Sequence, residues 1–403
     1  MPVFIYEATD NKNKVFSGFI NAANETSALL SLKDLPLPIK RIYRATFWKE
    51  LILIGDTIPL THLMIFTREL TAMIKSGVQL LNCLKMFVRE ETYDKLKLVI
   101  LRVIAQIQKG ASLSTAFSQH PNVFSQFYLA LIRAGEMSGE LPTMMERLTE
   151  YLEWEYALRT KIKAAMIYPF IVFISAVLLA IGVVLYIFPI FISMFEGFNM
   201  KLPLLTHILV VIITFLKQWA VLLSLAVGLY FSISFLKKYL QTSAGKLQFH
   251  SYILKIPRIG SIISKLAITR FCNAFATLYG SGLPLLMLLD AIRNVTGNEL
   301  FDLKISRCTK LIAEGTSLKT ALESTNLFPP AALGMIEVGE NTGELHSVLT
   351  RTARFYDFQV NADLSAISSI IEPLLIFGMG LFVGIILIAT LLPIYKLMSE
   401  FTI

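Results

Sequence analysis

Three stretches of this chain carry no charged residue, and each has about the length a helix needs to cross a bilayer. One lies between Lys163 and Glu196, one runs from Gln218 to Leu236, and one from Pro373 to Tyr395. A hydrocarbon core of about 30 Å takes about 20 helical residues. The competing arrangement is a set of helices buried in a large soluble core. A hydrophobic content of 55% and a mean hydropathy of +0.62 favour the membrane. The sequence predicts spans over 166–195, 218–236 and 373–395, the first entering near Pro169 and ending near Phe195. Lys217 and Trp219 open the second span, and Lys237 with Lys238 closes it, as residues that anchor helix ends at headgroups do.

The flanking charges set an orientation. Arg159, Lys161, Lys163, Lys237, Lys238 and Lys246 lie on one side, against Lys201, Lys217 and Lys396 on the other. The positive-inside rule then puts 55–165 and 237–372 in the cytoplasm, with 196–217 as a periplasmic loop and 396–403 as a periplasmic tail. Glu7 and Asp10 near the start are unlike the basic opening of a secretory signal, so the N-terminus is expected to stay cytoplasmic. A net charge of +8 calls for no nucleic acid, because acidic lipid headgroups attract the same residues.

The chain also repeats itself. Phe66, Ser76, Gly77 and Leu81 recur as Phe271, Ser281, Gly282 and Leu286, and Gly110, Ser112, Leu113 and Ala116 recur as Gly315, Ser317, Leu318 and Ala321. After a slip of one residue, Phe124, Gly135, Glu136, Gly139, Glu140, Leu141 and Arg147 recur as Phe328, Gly339, Glu340, Gly343, Glu344, Leu345 and Arg351. The match enters the apolar stretches, where Pro169, Pro189 and Glu196 recur as Pro373, Pro393 and Glu400. Each unit is thus a soluble part plus one outgoing span, and the second span is the return crossing that puts both soluble parts in one compartment.

Those soluble parts read as helical. Leu63, Phe66, Leu70, Met73 and Ile74 form one apolar stripe, which Ile268, Phe271, Phe275, Leu278 and Tyr279 repeat. Breaks at Gly77, Gly110, Pro121 and Gly135 divide the first into about six helices, and short connections imply a compact bundle. Residues 1–50 differ. Short β-like runs at 3–6, 15–20 and 39–43, with a helix expected over 25–33, predict a small α+β module. The fold class is therefore an all-α polytopic membrane protein with two repeated bundles, three spans and this module.

The sequence holds no assembled chemistry. Cys83, Cys272 and Cys308 show no CxxC spacing and read as reduced packing residues, and five histidines offer no metal site. There is no HExxH, no GxSxG and no phosphate-binding GxxxxGK[ST] loop. No cofactor and no enzymatic activity are expected.

Two helical repeats each carrying a G-E-x-x-G-E-L turn (135–141 and 339–345), a span entered through Tyr168-Pro169 or Glu372-Pro373, and Phe195-Glu196 followed by Leu202-Pro203 resemble the type II secretion F and type IV pilus PilC platform proteins. The opening Phe4, Tyr6, Ala8 and Asp10, with Gly18 and Ala23, is similar to that family's N-terminal segment and leans toward the secretion branch without excluding a pilus. Asn13 departs from the glycine common in that turn. The resemblance implies a bacterial inner-membrane platform standing between a hexameric cytoplasmic ATPase and pilin or pseudopilin subunits. Other inner-membrane assembly proteins, lipid and further copies of the chain complete its implied partners. A transporter built from repeats is the alternative. Against it, the first and third spans contain no Asp, Glu, Lys, Arg or His to mark a substrate path.

Glu136, Glu140, Glu340 and Glu344 are the candidate partner contacts, as paired carboxylates at what reads as a connection tip. Glu372, beside a span entry, must reach the headgroups or meet a polar partner. Gly77, Gly110, Gly135, Gly139 and their counterparts Gly282, Gly315, Gly339 and Gly343 are read as structural, serving helix connections. Pro169 and Pro373 are read as starting or kinking their spans. Reporter fusions after Lys246 should report cytoplasm, and fusions near Lys201 should report periplasm; a cytoplasmic signal near Lys201 would break the three-span assignment.

Overall fold

The computed structural model describes residues 3–9, 15–21, 39–44, 58–90, 93–183, 219–240 and 242–401, with the single residues 24, 26 and 186. The end of the first predicted span, the loop 196–217, Gln218 and, apart from Thr26, the body of the expected helix 25–33 lie outside the described residues. Two compact units make up the chain. One takes Met1–Arg159 with Ser264–Asp357, and the other takes Thr160–Ile263 with Phe358–Ile403.

The first unit opens with β1 (Val3–Thr9), β2 (Val15–Asn21) and β3 (Ile39–Arg44), an antiparallel sheet in the order β2-β1-β3 with an irregularity between Glu7 and Ala8 against β3. Helices α1 (Leu60–Lys75), α2 (Leu80–Glu90), α3 (Asp94–Gln108), α4 (Leu113–Ser118), α5 (Gln126–Ser138) and the start of α6 (Leu141–Gly182) form the first bundle. The second bundle repeats this order: the end of α9 (Ile259–Tyr279), then α10 (Leu285–Ala291), α11 (Glu299–Ala313), α12 (Leu318–Glu323), α13 (Pro330–Thr342) and the start of α14 (Leu345–Phe401). Six helices contribute to each, the number expected from the sequence.

The recurring residues have recurring jobs. Gly77, Gly110 and Gly139 and their counterparts Gly282, Gly315 and Gly343 all have φ between 75° and 93°, the left-handed conformation that ends a helix without a Cβ penalty. Two residues after Gly110, the Ser112 side chain accepts from the Thr115 N–H at 3.2 Å; Ser317 does the same for Thr320. This N-cap turns the chain directly into α4 or α12 and buries Leu113 or Leu318.

Aromatic rings fill the cores. Phe66 meets Phe87, Phe117 and Phe124, with centroids at 4.7, 6.3 and 6.4 Å. In the second bundle Phe271 meets Phe328 at 5.2 Å, the counterpart of the Phe66–Phe124 contact. Bulk moves between positions while the volume stays filled: Leu70 becomes Phe275 and Phe117 becomes Leu322, all fully buried. Between α1 and α6, the Thr71 and Thr149 hydroxyls pair at 2.8 Å, so buried polarity is satisfied within the bundle. Cys83, Cys272 and Cys308 are unpaired and buried, and burial pushes the Cys272 thiol up to about 12.

The second unit is apolar outward. It contains the remainder of α6 and α14, the start of α9, α7 (Trp219–Leu240) and α8 (Ser243–Lys255). Leu141–Leu179 and Leu345–Ile388 are the two stretches of described helix long and apolar enough to cross a membrane. Phe170, Phe173, Leu374 and Phe377 are more than half exposed, a placement that suits hydrocarbon and not water. Pro169 lies inside α6 and Pro373 inside α14, so neither starts a helix. The sequence suggested an entry because proline is tolerated best in a first turn; here each of the two apolar stretches is the continuation of a bundle helix.

Truncating a repeated core ring should cost about 3–5 kcal/mol. Phe66→Ala and Phe271→Ala should each lower the thermal midpoint of the full-length chain in detergent, followed by far-ultraviolet circular dichroism, whereas Met137→Ala, at an exposed position, should leave it unchanged.

Candidate functional site

The duplicated G-E-x-x-G-E-L segment is a helix end, and its two glycines do different things. Gly139 and Gly343 take the left-handed turn after α5 and α13. Gly135 and Gly339 do not break the chain. Each lies one turn inside its helix, facing the helix that follows: a Cβ on Gly135 would stand 2.9 Å from the Leu141 Cα, and one on Gly339 would stand 3.2 Å from the Leu345 Cα. The break predicted at Gly135 is therefore moved to Gly139. Gly135 is needed for close approach of two backbones, which a single sequence cannot distinguish from a turn.

Glu136 and Glu340 follow from that correction. They sit on helices and reach across to a short neighbour. Glu136 accepts from the Ser114 N–H at 3.2 Å through Oε1 and from the Ser114 hydroxyl at 2.5 Å through Oε2. Glu340 accepts from the Leu318 and Lys319 N–H groups at 2.8 and 3.1 Å. The first N–H groups of a helix have no internal partner, and a carboxylate there gains from hydrogen bonding and from the helix dipole. This intramolecular role accounts for the recurrence of both residues. Glu140 and Glu344 are exposed, each immediately before the first residue of α6 or α14.

Glu372 meets a polar partner. The Tyr168 hydroxyl donates to Glu372 Oε1 at 3.0 Å. The two residues are counterparts in the duplication, each standing directly before its proline. A hydrogen bond there lessens the cost of a carboxylate at the entry of an apolar helix.

Two features escaped the sequence reading. Glu155 is buried, and its carboxylate accepts from Arg270 Nε and Nη2, both at 3.1 Å, and from Arg159 Nε at 2.6 Å. Arg270 also donates to the Thr296 carbonyl at 3.3 Å. This bidentate pair ties the first bundle to the second. Its signal was a charged residue in register with the buried Leu148, Leu152 and Leu158 of α6. The second feature is a cleft of about 520 Å³ between the bundles, lined among others by Arg147, Trp154, Asn273, His346, Thr350 and Asp357. In the first bundle the matching α1–α6 face is closed by Arg68–Glu153 at 2.8 Å and Lys75–Glu146 at 2.7 Å. Their counterparts are Asn273, Asp357, Gly280 and Thr350. Losing the two cations opens the cleft, and Gly280 leaves room for the Arg147 guanidinium and the His346 imidazole, which would stand 2.6 and 2.8 Å from a Cβ at that position.

These groups join and space helices. Among the described residues no three His, Cys, Asp or Glu side chains gather as metal ligands.

The family described as type II secretion system (T2SS), protein F, matches residues 66–189 and again 271–393. Each match opens at a repeated core phenylalanine, Phe66 or Phe271, and closes at the counterpart prolines Pro189 and Pro393. The chain is 32% identical to a type IV pilus assembly protein PilC of Thermus thermophilus across the whole of both. It is 31% identical to a PilC of Myxococcus xanthus over 98% of this chain and 94% of that one. It is also 29% identical to a type II secretion system protein F of Vibrio cholerae over 98% of each.

The cap geometry separates the four glutamates by stability. Glu136→Gln and Glu340→Gln should each destabilise by about 1–2 kcal/mol, since each removes charge from bonds that satisfy buried helix ends. Glu140→Gln and Glu344→Gln should stay within about 0.5 kcal/mol. Midpoints in detergent that fail to separate the two pairs would count against the caps.

Proposed function

This chain belongs to the type II secretion system protein F family, and from that premise we propose that it is the inner-membrane platform of a type II secretion or type IV pilus assembly machine. The observation that carries the reading is the double match, in which each copy of the family unit contains one helical bundle and the apolar helix that continues it. In this reading the platform couples a cytoplasmic hexameric ATPase to the insertion of pilin or pseudopilin subunits into a filament. The chain has no phosphate-binding loop of its own, so nucleotide energy enters through that partner.

The topology we propose has three crossings, 166–195, 218–236 and 373–395, with the N-terminus, an α+β module over 1–50 and the bundles at 55–165 and 237–372 in the cytoplasm. The charge distribution supports it, and so does the repeat, since two outgoing spans need one return. Glu140 and Glu344 are the exposed acids of the duplicated turn and are proposed to meet basic residues of a partner; Glu136 and Glu340 would support them from within. Glu372 is proposed to act with Tyr168 where a subunit leaves the lipid. Other inner-membrane assembly proteins and further copies of this chain complete the proposed assembly.

Affinity purification of the tagged chain from native membranes tests the proposal. A hexameric ATPase and a pilin-like protein should be recovered with it. Pseudopilins among the recovered proteins would assign the chain to secretion, and a major pilin would assign it to a pilus. Recovery of neither class from intact membranes would remove the platform reading.

A further inference from the structure

The two bundles touch through unlike faces. Helix α5 of the first packs against α10 of the second, and the groove of about 600 Å³ between them is lined by, among others, Arg133, Met137, Met287, Asp290 and Ala291. Because the chain is a duplication, each bundle owns a copy of both faces. The counterpart of α5 is α13, and the counterpart of α10 is α2. Among the described residues, α13 and α2 show no comparable packing against each other. The chain therefore carries a second, unused pair of the same faces.

The substitutions between the used and the unused pair are not those of idle surface. Arg133 corresponds to Glu337, and Asp290 corresponds to Lys85. Base and acid have changed sides, and the two faces remain opposite in charge. Apolar side chains stand on the unused faces as well, at shifted positions. Ala291, buried beside the groove, corresponds to Met86, which is 48% exposed, and the buried Ala134 corresponds to Val338, which is 56% exposed, while the groove's Met137 and Met287 correspond to Asn341 and Asn82. Opposite charges, each beside an exposed methionine or valine, suit these two faces to each other.

We infer that these faces join copies of this chain, with α13 of one copy seated on α2 of the next and Glu337 opposite Lys85, as α5 is seated on α10 within each copy. The exchanged charges give register: α13 meeting α13 would oppose two glutamates, and α2 meeting α2 would oppose two lysines. Since the contact pairs unlike faces, every added copy presents the same two faces again. The assembly closes when the rotation between successive bundles divides a full turn evenly.

The inference rests on the homo-oligomer proposed above and names its surface. It is tested with full-length chains carrying two different affinity tags, co-expressed and recovered from detergent-solubilised membranes. Wild-type copies should co-purify. Lys85→Glu and Glu337→Lys should each lower recovery of the second tag about tenfold, the effect of about 1.4 kcal/mol. The chain carrying both reversals should return to within about threefold of wild type. A second readout leaves the charges aside: Lys85→Cys in one tagged chain and Glu337→Cys in the other should give an oxidised cross-link between the chains, the native cysteines being buried. Rescue together with the cross-link supports the inference. If wild-type copies fail to co-purify, the homo-oligomer and this surface fall together. If they co-purify but rescue or cross-link is missing, the surface alone is wrong.

Discussion

The tight approach of α5 to α6 at Gly135, and of α13 to α14 at Gly339, is the constraint on which the rest of the structure depends. With no Cβ in the way, the backbone can turn back at once through Gly139 or Gly343. The returning helix then begins at a fixed place. That helix supplies buried residues to its bundle and runs on, without interruption at the proline, into an apolar segment. Glu136 and Glu340 secure the same corner from the other side by holding the first N–H groups of a six-residue helix, too short to be stable alone. The short helix is therefore tied to the corner from which the long helix starts.

Much of this architecture was legible in the sequence because it rests on local chemistry. Uncharged runs, apolar stripes such as Leu63, Phe66 and Leu70, and glycines at helix ends follow from the residues themselves, and the repeat doubled every such signal. What escaped depends on partners far along the chain. Glu136 read as a candidate for an outside partner because the group it bonds is 22 residues away and is a backbone N–H. Gly135 looked like a break because a glycine that admits a neighbouring backbone and one that turns its own are alike in sequence. Glu155 could have been suspected, as an acid on a buried stripe, but Arg270 as its partner could not have been named. The candidate site was thus legible as a set of recurring residues and illegible in the division of labour among them.

The differences between the repeats are as informative as their likeness. In the first bundle two ion pairs cover the α1–α6 face. In the second the same positions hold Asn273, Gly280, Thr350 and Asp357, and a cleft remains that receives Arg147 from the first bundle. Exposed ion pairs contribute little stability, so their loss is tolerated. What is gained is a surface on which one bundle engages the other, reinforced by the buried Glu155–Arg270 pair. The core meanwhile keeps its volume, exchanging Leu70 and Phe117 for Phe275 and Leu322.

The hydrogen bond from Tyr168 to Glu372 carries one more consequence. Tyr168 and Glu372 occupy the same position in the two halves. Were the halves separate, identical chains, a contact between these counterparts would set the same side chain on both sides, and tyrosine would face tyrosine or carboxylate would face carboxylate. Two carboxylates there would repel, and two tyrosines would carry no charge. Linking the halves in a single polypeptide lifts that restriction, so a donor can stand on one side and an acceptor on the other. Fusion thus gives this contact something no homodimer of half-length chains can have between counterpart residues: unlike partners, a donor on one half and an acceptor on the other.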